Sequence, residues 1–413
     1  MANTNFTING VDIEKNFVPK EYLMDRYAEL PNVFKTSTLW ACGENTYGGL
    51  GTDDRTPRSS PVQTVAGGAN WKQVATKWTH SAAIKTDGTL WTWGFNSTGE
   101  LGDNTIVSKS SPIQTVAGGT NWKQVSVGFQ TTMAIKTDGT LWGWGYNSFG
   151  QLADGTITWR SSPVQTVSGG TNWKQVSSSG QSTAAIKTDG TLWTWGYNVY
   201  GQLGDNTTTS RSSPIQTVAG GTNWRTVSQG PDGGGAIKTN GTLWMWGQNT
   251  SFFSGATGQL GDGTIVSKSS PVQTIAGGNN WKSVHCGGLV TAAIKTDGTL
   301  WVWGYNSFGE LGDNTTTPKS SPIQTVAGGT NWKQVVCTSS YSGGDAILAI
   351  KADGTLWVWG SNQWGQLGTN NTTNRSSPVQ TIAGGTNWKQ IDSGFNSWVA
   401  IRDDSSDIYG DPF

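Results

Sequence analysis

Residues 121–144 read NWKQVSVGFQTTMAIKTDGTLWGW, and residues 172–195 read NWKQVSSSGQSTAAIKTDGTLWTW. The ends NWKQV and AIKTDGTLW are copied almost letter for letter, while the stretch between them drifts. The markers recur seven times along the chain. The tryptophan of NWK or NWR falls at Trp71, Trp122, Trp173, Trp224, Trp281, Trp332 and Trp388, with spacings of 51 that lengthen to 57 and 56 in two units. A self-similar period of this length marks a repeat architecture.

Each unit reads as four short strands: WKQV with the residues after it, the segment ending in AIK, TLWxWG, and PxQTV. Asp-Gly, or Asn240-Gly241 in one unit, joins the second strand to the third. Such dipeptides between strand-like runs signal a hairpin, and a type I′ turn is expected for them. AGGTN is a glycine-rich turn, and no helical period appears inside a unit. Four strands per unit with glycine and aromatic signatures predict an all-β, seven-bladed β-propeller with four strands per blade. The two tryptophans of LWxWG stand two apart and share one strand face, with the leucine on the other. Both faces are apolar because each blade is covered by a neighbour on either side.

The first unit enters at TSTLWACG (36–43) and lacks the preceding half. The last ends in NWKQIDSGFNSWVAIRDD (387–404). The ring is therefore expected to close by pairing N- and C-terminal strands, with the strand around Leu39 antiparallel to that around Ile401. This gives an N-terminal arm (1–35), the propeller (36–404) and a C-terminal tail (405–413).

The composition fits such a ring. The chain has 413 residues, with 58 glycines, 24 tryptophans, 13% charged residues and zero net charge. A neutral chain has no global attraction for nucleic acid or an anionic membrane, so neither is expected as a partner. No 18-residue apolar run, secretory signal or membrane insertion is read. Cys42, Cys286 and Cys337 are too few and too scattered for a disulfide framework or a zinc site.

The pattern AIKTDGTLWTWGxNxxGQLGD resembles the regulator of chromosome condensation repeat, WGYNVYGQLGD (195–205) most closely, and the resemblance covers residues 36–404. It implies a seven-bladed propeller. The founding eukaryotic member of that family drives nucleotide exchange on a small GTPase and docks on nucleosomes with a basic tail; residues 1–35 hold no such tail. Family repeats often place a histidine before the second strand, and only His80 keeps it here. The near-identical copies of SSPVQTVAGGTNWKQV, and the opening MANTNFTINGVDIEKNF, are also similar to virion structural proteins of tailed phages of marine bacteria.

With the Asp-Gly hairpins defining the lower face, the connections from first to second strand and from third to fourth lie on the upper face. The drift is concentrated there, and so are both length changes, one of them SFFSGA (251–256). Loops on a rigid scaffold are where binding sits, so Trp78, His80, Phe129, Phe252, Phe253, Tyr341 and Trp398 are candidate partner-binding residues. Tyr47, Phe149, Tyr200, Phe308 and Trp364 recur at equivalent places before the glycine of NxxG and read as packing. In the arm, PKEYLMDRYAELP predicts a short amphipathic helix, with Tyr22, Leu23, Tyr27 and Leu30 as candidate anchors.

Nothing in the sequence converges as catalysis requires. The Asp of LGDN lacks the alternating ligands of a calcium loop and reads as a turn cap. His285 and Cys286 are adjacent on a strand and point to opposite faces. The expectation is a non-enzyme without metal or cofactor: a phage virion structural protein (tail, fibre or capsid-associated), located in the virion and, during assembly, in the host cytoplasm. Its partners would be other virion proteins, a host surface receptor or a glycan, with a homo-oligomer on the particle left open because the sequence does not reveal oligomeric state. The alternatives are a cellular regulatory propeller acting on a small GTPase or another protein, and a carbohydrate-binding propeller.

Overall fold

In the computed structural model the described residues are 7–8, 11–12, 37–65, 70–78, 80–251, 255–339 and 344–403. Seven four-stranded antiparallel sheets form a ring. Blade 2, taken as the example, runs through Trp71–Lys77, His80–Lys85, Leu90–Gly94 and Lys109–Gln114 in spatial order. Blades 3 to 7 start at Trp122, Trp173, Trp224, Trp281 and Trp332 and repeat that order. The strand beginning at the NWK tryptophan is innermost and neighbours its counterparts on both sides around the axis. The SSPxQ strand is outermost, where a proline lacking an N–H costs no ladder bond.

Blade 1 is shared between the chain ends. Trp388–Ser393 and Ser397–Asp403 pair with Ser37–Gly43 and Arg58–Gln63. Leu39 stands opposite Ile401, as expected, and the pairing extends from Ser37↔Asp403 to Gly43↔Ser397. The residue runs of the arm helix, with Tyr22, Leu23, Tyr27 and Leu30, lie outside the described residues, as do Phe252, Phe253, Tyr341 and residues 404–413.

Each seam between blades is an apolar cluster of one composition. Ala82, Ile84 and Leu90 of blade 2 pack on Trp122, Val125 and Trp144 of blade 3, and the layout repeats around the ring. The second tryptophan of LWxWG also carries a polar anchor. Its indole Nε1 donates to a carbonyl of the preceding blade: Trp93 to Gly49, Trp144 to Glu100, Trp195 to Gln151, Trp246 to Gln202, Trp303 to Gln259 and Trp359 to Glu310, all at 2.8–2.9 Å. A buried indole N–H needs such a partner. Nearer the axis, the glutamine of NWKQV bridges to the next inner strand. Gln73 Nε2 donates to Val125 O and its Oε1 accepts from Val125 N; Gln124, Gln175, Gln334 and Gln390 make the same bridge, each across its own seam.

At the lower face the lysine of AIK lies over two indoles. Lys85 Nζ is 4.8 and 4.6 Å from the ring centroids of Trp71 and Trp91, and Arg402 takes the place of lysine in blade 1. The hairpin beside it is not the expected type I′ turn. Only the glycine has positive φ (Gly88, 81°), and Asp87 does not. Lys85 pairs with Thr89, and Gly88 N donates to Lys85 O. This is a type I turn followed by a bulged glycine. The aspartate selects it by accepting, on one carboxylate oxygen, from both Thr89 N and Thr89 Oγ1. Glycine is needed for space as well as for φ, since a Cβ on Gly88 would lie 2.1 Å from Thr120 O of the next blade.

Trp398 corrects the surface reading of the sequence. It is fully buried in the second strand of blade 1, opposite Cys42. Cys42 occupies the position of the second tryptophan in TLWACG, so blade 1 lacks that indole. Trp398 fills the slot from the neighbouring strand and donates to Gln366 O at 2.7 Å. Blade 7 has Ile347 at this position and the other blades have smaller residues, among them Thr132 and Thr291, whose hydroxyls reach the equivalent carbonyls. Trp398→Thr should therefore destabilise the ring by about 3–5 kcal/mol. The double variant Trp398→Thr/Cys42→Trp, which restores the layout of the other blades, should recover most of that loss in denaturant melts.

Candidate functional site

Two groups of side chains converge at the upper face. The first lies on the axis. Lys77 ends the inner strand of blade 2, where the other blades have Gly128, Ser179, Gly230, Gly287, Thr338 and Gly394. It is buried, and its Nζ donates to Ser339 Oγ of blade 7 at 3.3 Å. The side chain thus passes in front of blade 1 and crosses the upper bore. Asp392 of blade 1 and His285 of blade 6 line the same bore. Burial in the ring raises the Asp392 carboxyl, while the Lys77 ammonium and the N–H groups of Thr76 and Ser393 pull it down. His285 is pushed well below its ordinary value, first by burial and then by Lys77. Its Nδ1 accepts from Cys337 N at 3.0 Å, which makes it a neutral acceptor. Burial pushes the adjacent Cys286 thiol up to about 12, so a thiolate is disfavoured there.

Immediately after Lys77, Trp78 takes φ of 51°, a left-handed conformation that is costly for a bulky side chain. Its ring stands edge-on to Phe129 at 4.1 Å and tilted against Phe395 at 4.8 Å. Three half-buried aromatics from blades 2, 3 and 1 therefore meet over the mouth.

The second group is a belt around the rim. The aromatic of NxxG in one blade meets the residue after WG in the next: Tyr47 with Phe95 at 4.8 Å, and Phe149 with Tyr197 at 4.7 Å. The regular spacing predicts packing, and these rings do pack, yet Tyr47 and Tyr200 remain 40% exposed and Trp364 47%. The loops carrying them are held by a buried asparagine. In the Tyr200 loop Asn198 Nδ2 donates to Asp205 Oδ1, Thr207 O and Thr209 O, and its Oδ1 accepts from Leu203 N; Asn96 holds the matching loop of blade 2 through Asp103 Oδ1 and Leu101 N. Asp103 also caps Thr105 N, so the LGDN aspartate serves the turn. The belt is thus presented on pre-ordered loops.

Of the sequence candidates, Trp78 and Phe129 are brought into contact. His80 is fully buried, bonded through Nε2 to Thr132 Oγ1 at 3.0 Å, and held by burial down at about 3. It is a neutral seam residue and cannot touch a partner, because the first position of the second strand is covered by the next blade. Phe395 and Lys77 were not singled out from the sequence. For Lys77 the signal was present: it is the one long cation among aligned glycines, serines and threonines.

A rigid ring with an aromatic rim and a plugged bore defines a binding scaffold of the propeller class. The chain belongs to the regulator of chromosome condensation (RCC1) repeat family, whose repeat matches at 37–84, 87–135, 138–186, 189–236, 240–294, 297–343 and 353–401. The chain is 30% identical over 347 residues to the ultraviolet-B receptor UVR8 of Arabidopsis thaliana, covering 82% of this chain and 76% of the receptor. It is 29% identical over 318 residues to the human E3 ubiquitin-protein ligase HERC2, covering 74% of this chain but 6% of the ligase. Among solved structures, yeast RCC1 (Prp20) bound to Kap60 superposes with a TM-score of 0.78 at 16% identity over 91% of each chain. That likeness concerns the fold alone.

One seam is electrostatically distinct. Glu100 and Glu310 sit where four other blades have Gln151, Gln202, Gln259 and Gln366 and blade 1 has Gly49. Glu100 is satisfied by Thr98 Oγ1 and Thr98 N. At Glu310 the threonine is replaced by Phe308, which supplies only its backbone N–H, and Glu310 Oε1 has no hydrogen-bond partner among the described residues. Burial, reinforced by Asp345, pushes the Glu310 carboxyl up to about 8 from 4.5. The folded state therefore keeps a proton that the unfolded chain releases above about 4.5, and the corresponding stability is full below that pH and lost as pH rises to about 8. Glu310→Gln should raise stability at pH 8 by about 1–3 kcal/mol and by much less at pH 5, checked by thermal melts at the two pH values.

Proposed function

We propose that this chain is a non-catalytic regulatory propeller that binds a protein partner through its upper face. The observation that carries the reading is the partly exposed aromatic belt on loops pre-ordered by the buried asparagines. Tyrosine and tryptophan give large contact area at low entropic cost and dominate protein-binding hot spots. The matched proteins support it: they include a receptor, and yeast RCC1 appears in complex with a protein, Kap60. These relatives favour the regulatory alternative over the virion role and give the virion and glycan readings no support.

The ring acts by holding recognition groups still. Each blade is covered on both sides, so the rim loops gain a fixed spacing and direction, and binding needs little ordering of the surface. Trp78, Phe129 and Phe395 provide an apolar centre, and the belt provides the periphery. A photo-crosslinking residue at Tyr200 or Trp364 should capture a discrete protein, while one at the exposed Val218, just beyond the lower end of the outermost strand Arg211–Gln216, should not. Tyr47→Glu/Tyr200→Glu/Trp364→Glu should abolish capture through a crosslinker at Phe129. Unchanged capture in that variant, or binding to a glycan array in place of a protein, would overturn the proposal.

A further inference from the structure

The chain is neutral, yet the charges of its lower face are sorted by distance from the axis. The second residue of every inner strand is a cation: Lys72, Lys123, Lys174, Arg225, Lys282, Lys333 and Lys389. Inner strands surround the axis and begin at the lower face, where Trp122 N is tied to Gly88 O of the preceding hairpin. These seven cations therefore ring the lower mouth of the bore, and all but the half-buried Arg225 are exposed. One strand further out, the AIK lysines are held over paired indoles, as Lys136 is over Trp122 and Trp142 at 4.8 and 4.4 Å. They add a second, pre-oriented circle of positive charge.

The inner ring is largely uncompensated. Among the described residues, Lys389 alone of the seven forms an ion pair, with Asp403, and Arg225 Nη2 instead reaches the carbonyls of Trp281 and Lys282 in the next blade. The nearest repeated carboxylates are those of the hairpins, Asp87, Asp138, Asp189, Asp297 and Asp353, which are exposed but lie between second and third strands, farther from the axis. Each is held below its ordinary value, chiefly by Thr N–H and O–H donors such as those of Thr140 for Asp138. They stay ionised and lie outside the inner circle of cations.

We infer that the lower mouth is a docking site for an acidic polypeptide segment. The arrangement of charge selects the class of polyanion. A nucleic-acid duplex is a wide rod, and laid across this face it would bring phosphates over the peripheral aspartates, where like charges repel. A single acidic chain entering at the axis meets the inner lysines and avoids the aspartate ring. The Lys389–Asp403 pair shows that a carboxylate at the mouth finds a ring cation. This surface is separate from the aromatic belt on the opposite face, so either can fail without the other.

The test is fluorescence anisotropy with a labelled oligoglutamate peptide and, in parallel, a short DNA duplex, on the full chain at low and physiological salt. The peptide should bind, weaken with salt as screening grows, and lose about ten-fold in affinity in the Lys123→Glu/Lys174→Glu variant. Both lysines are exposed, and unchanged near-ultraviolet circular dichroism checks that the variant is folded. Asp138→Asn/Asp189→Asn should leave peptide affinity within about two-fold while improving duplex binding. A duplex bound as tightly as the peptide by the wild type, or a Lys123→Glu/Lys174→Glu variant that binds the peptide normally, would overturn the proposal.

Discussion

The structure depends on one contact made at each seam: an indole N–H, from the third strand in six blades and from the second in blade 1, reaching a backbone carbonyl in the preceding blade. The tryptophan fills the apolar seam, and its N–H ties that packing to the loop that carries the upper face. Apolar burial is non-directional and would allow blades to slide. The hydrogen bond, backed by the glutamine bridges near the axis, fixes the register between blades. Blade 1 shows how strict the requirement is. There the usual tryptophan is Cys42, and Trp398 supplies the indole from the adjacent strand to the same kind of acceptor.

Much of the fold was legible because the repeats are internal comparisons. Seven copies of NWK, LWxWG and SSP define strands, blades and the join at Leu39 and Ile401 without reference to any other protein. What escaped was what each copy does differently. Trp398 sits in a drifting stretch and so resembled a surface aromatic; its meaning lies in a missing tryptophan in another part of the chain. His80 sits at the start of a strand, where burial is decided by a neighbouring blade that local sequence does not show. The Asp-Gly dipeptide suits two turn types, and the threonine after it, which the aspartate caps, decides between them.

The two faces follow from the same geometry. Upward-running strands end in loops that vary in sequence and carry aromatics, so the upper face is varied and aromatic-bearing. Their lower ends begin with the same Trp-Lys pair in nearly every blade, and sevenfold repetition turns one exposed lysine into a ring of charge. Composition alone concealed this, because totals of zero net charge say nothing of how charges are sorted. The recurring rim aromatics were hard to read for a related reason: a ring held edge-on by its neighbour, as Tyr47 is by Phe95, is both packed and exposed.

The central claim is that closure through blade 1 makes the seven repeats a single cooperative unit, unlike an open array that frays from its ends. Native-state hydrogen exchange on the second strands tests it directly, since their amides are buried in every blade. The account predicts one common opening free energy for the strand Ser397–Asp403, its partner Ser37–Gly43 and the central strands of blades 4 and 5. Blade 1 opening several kcal/mol more easily than blades 4 and 5, with protection rising steadily away from the join, would contradict it.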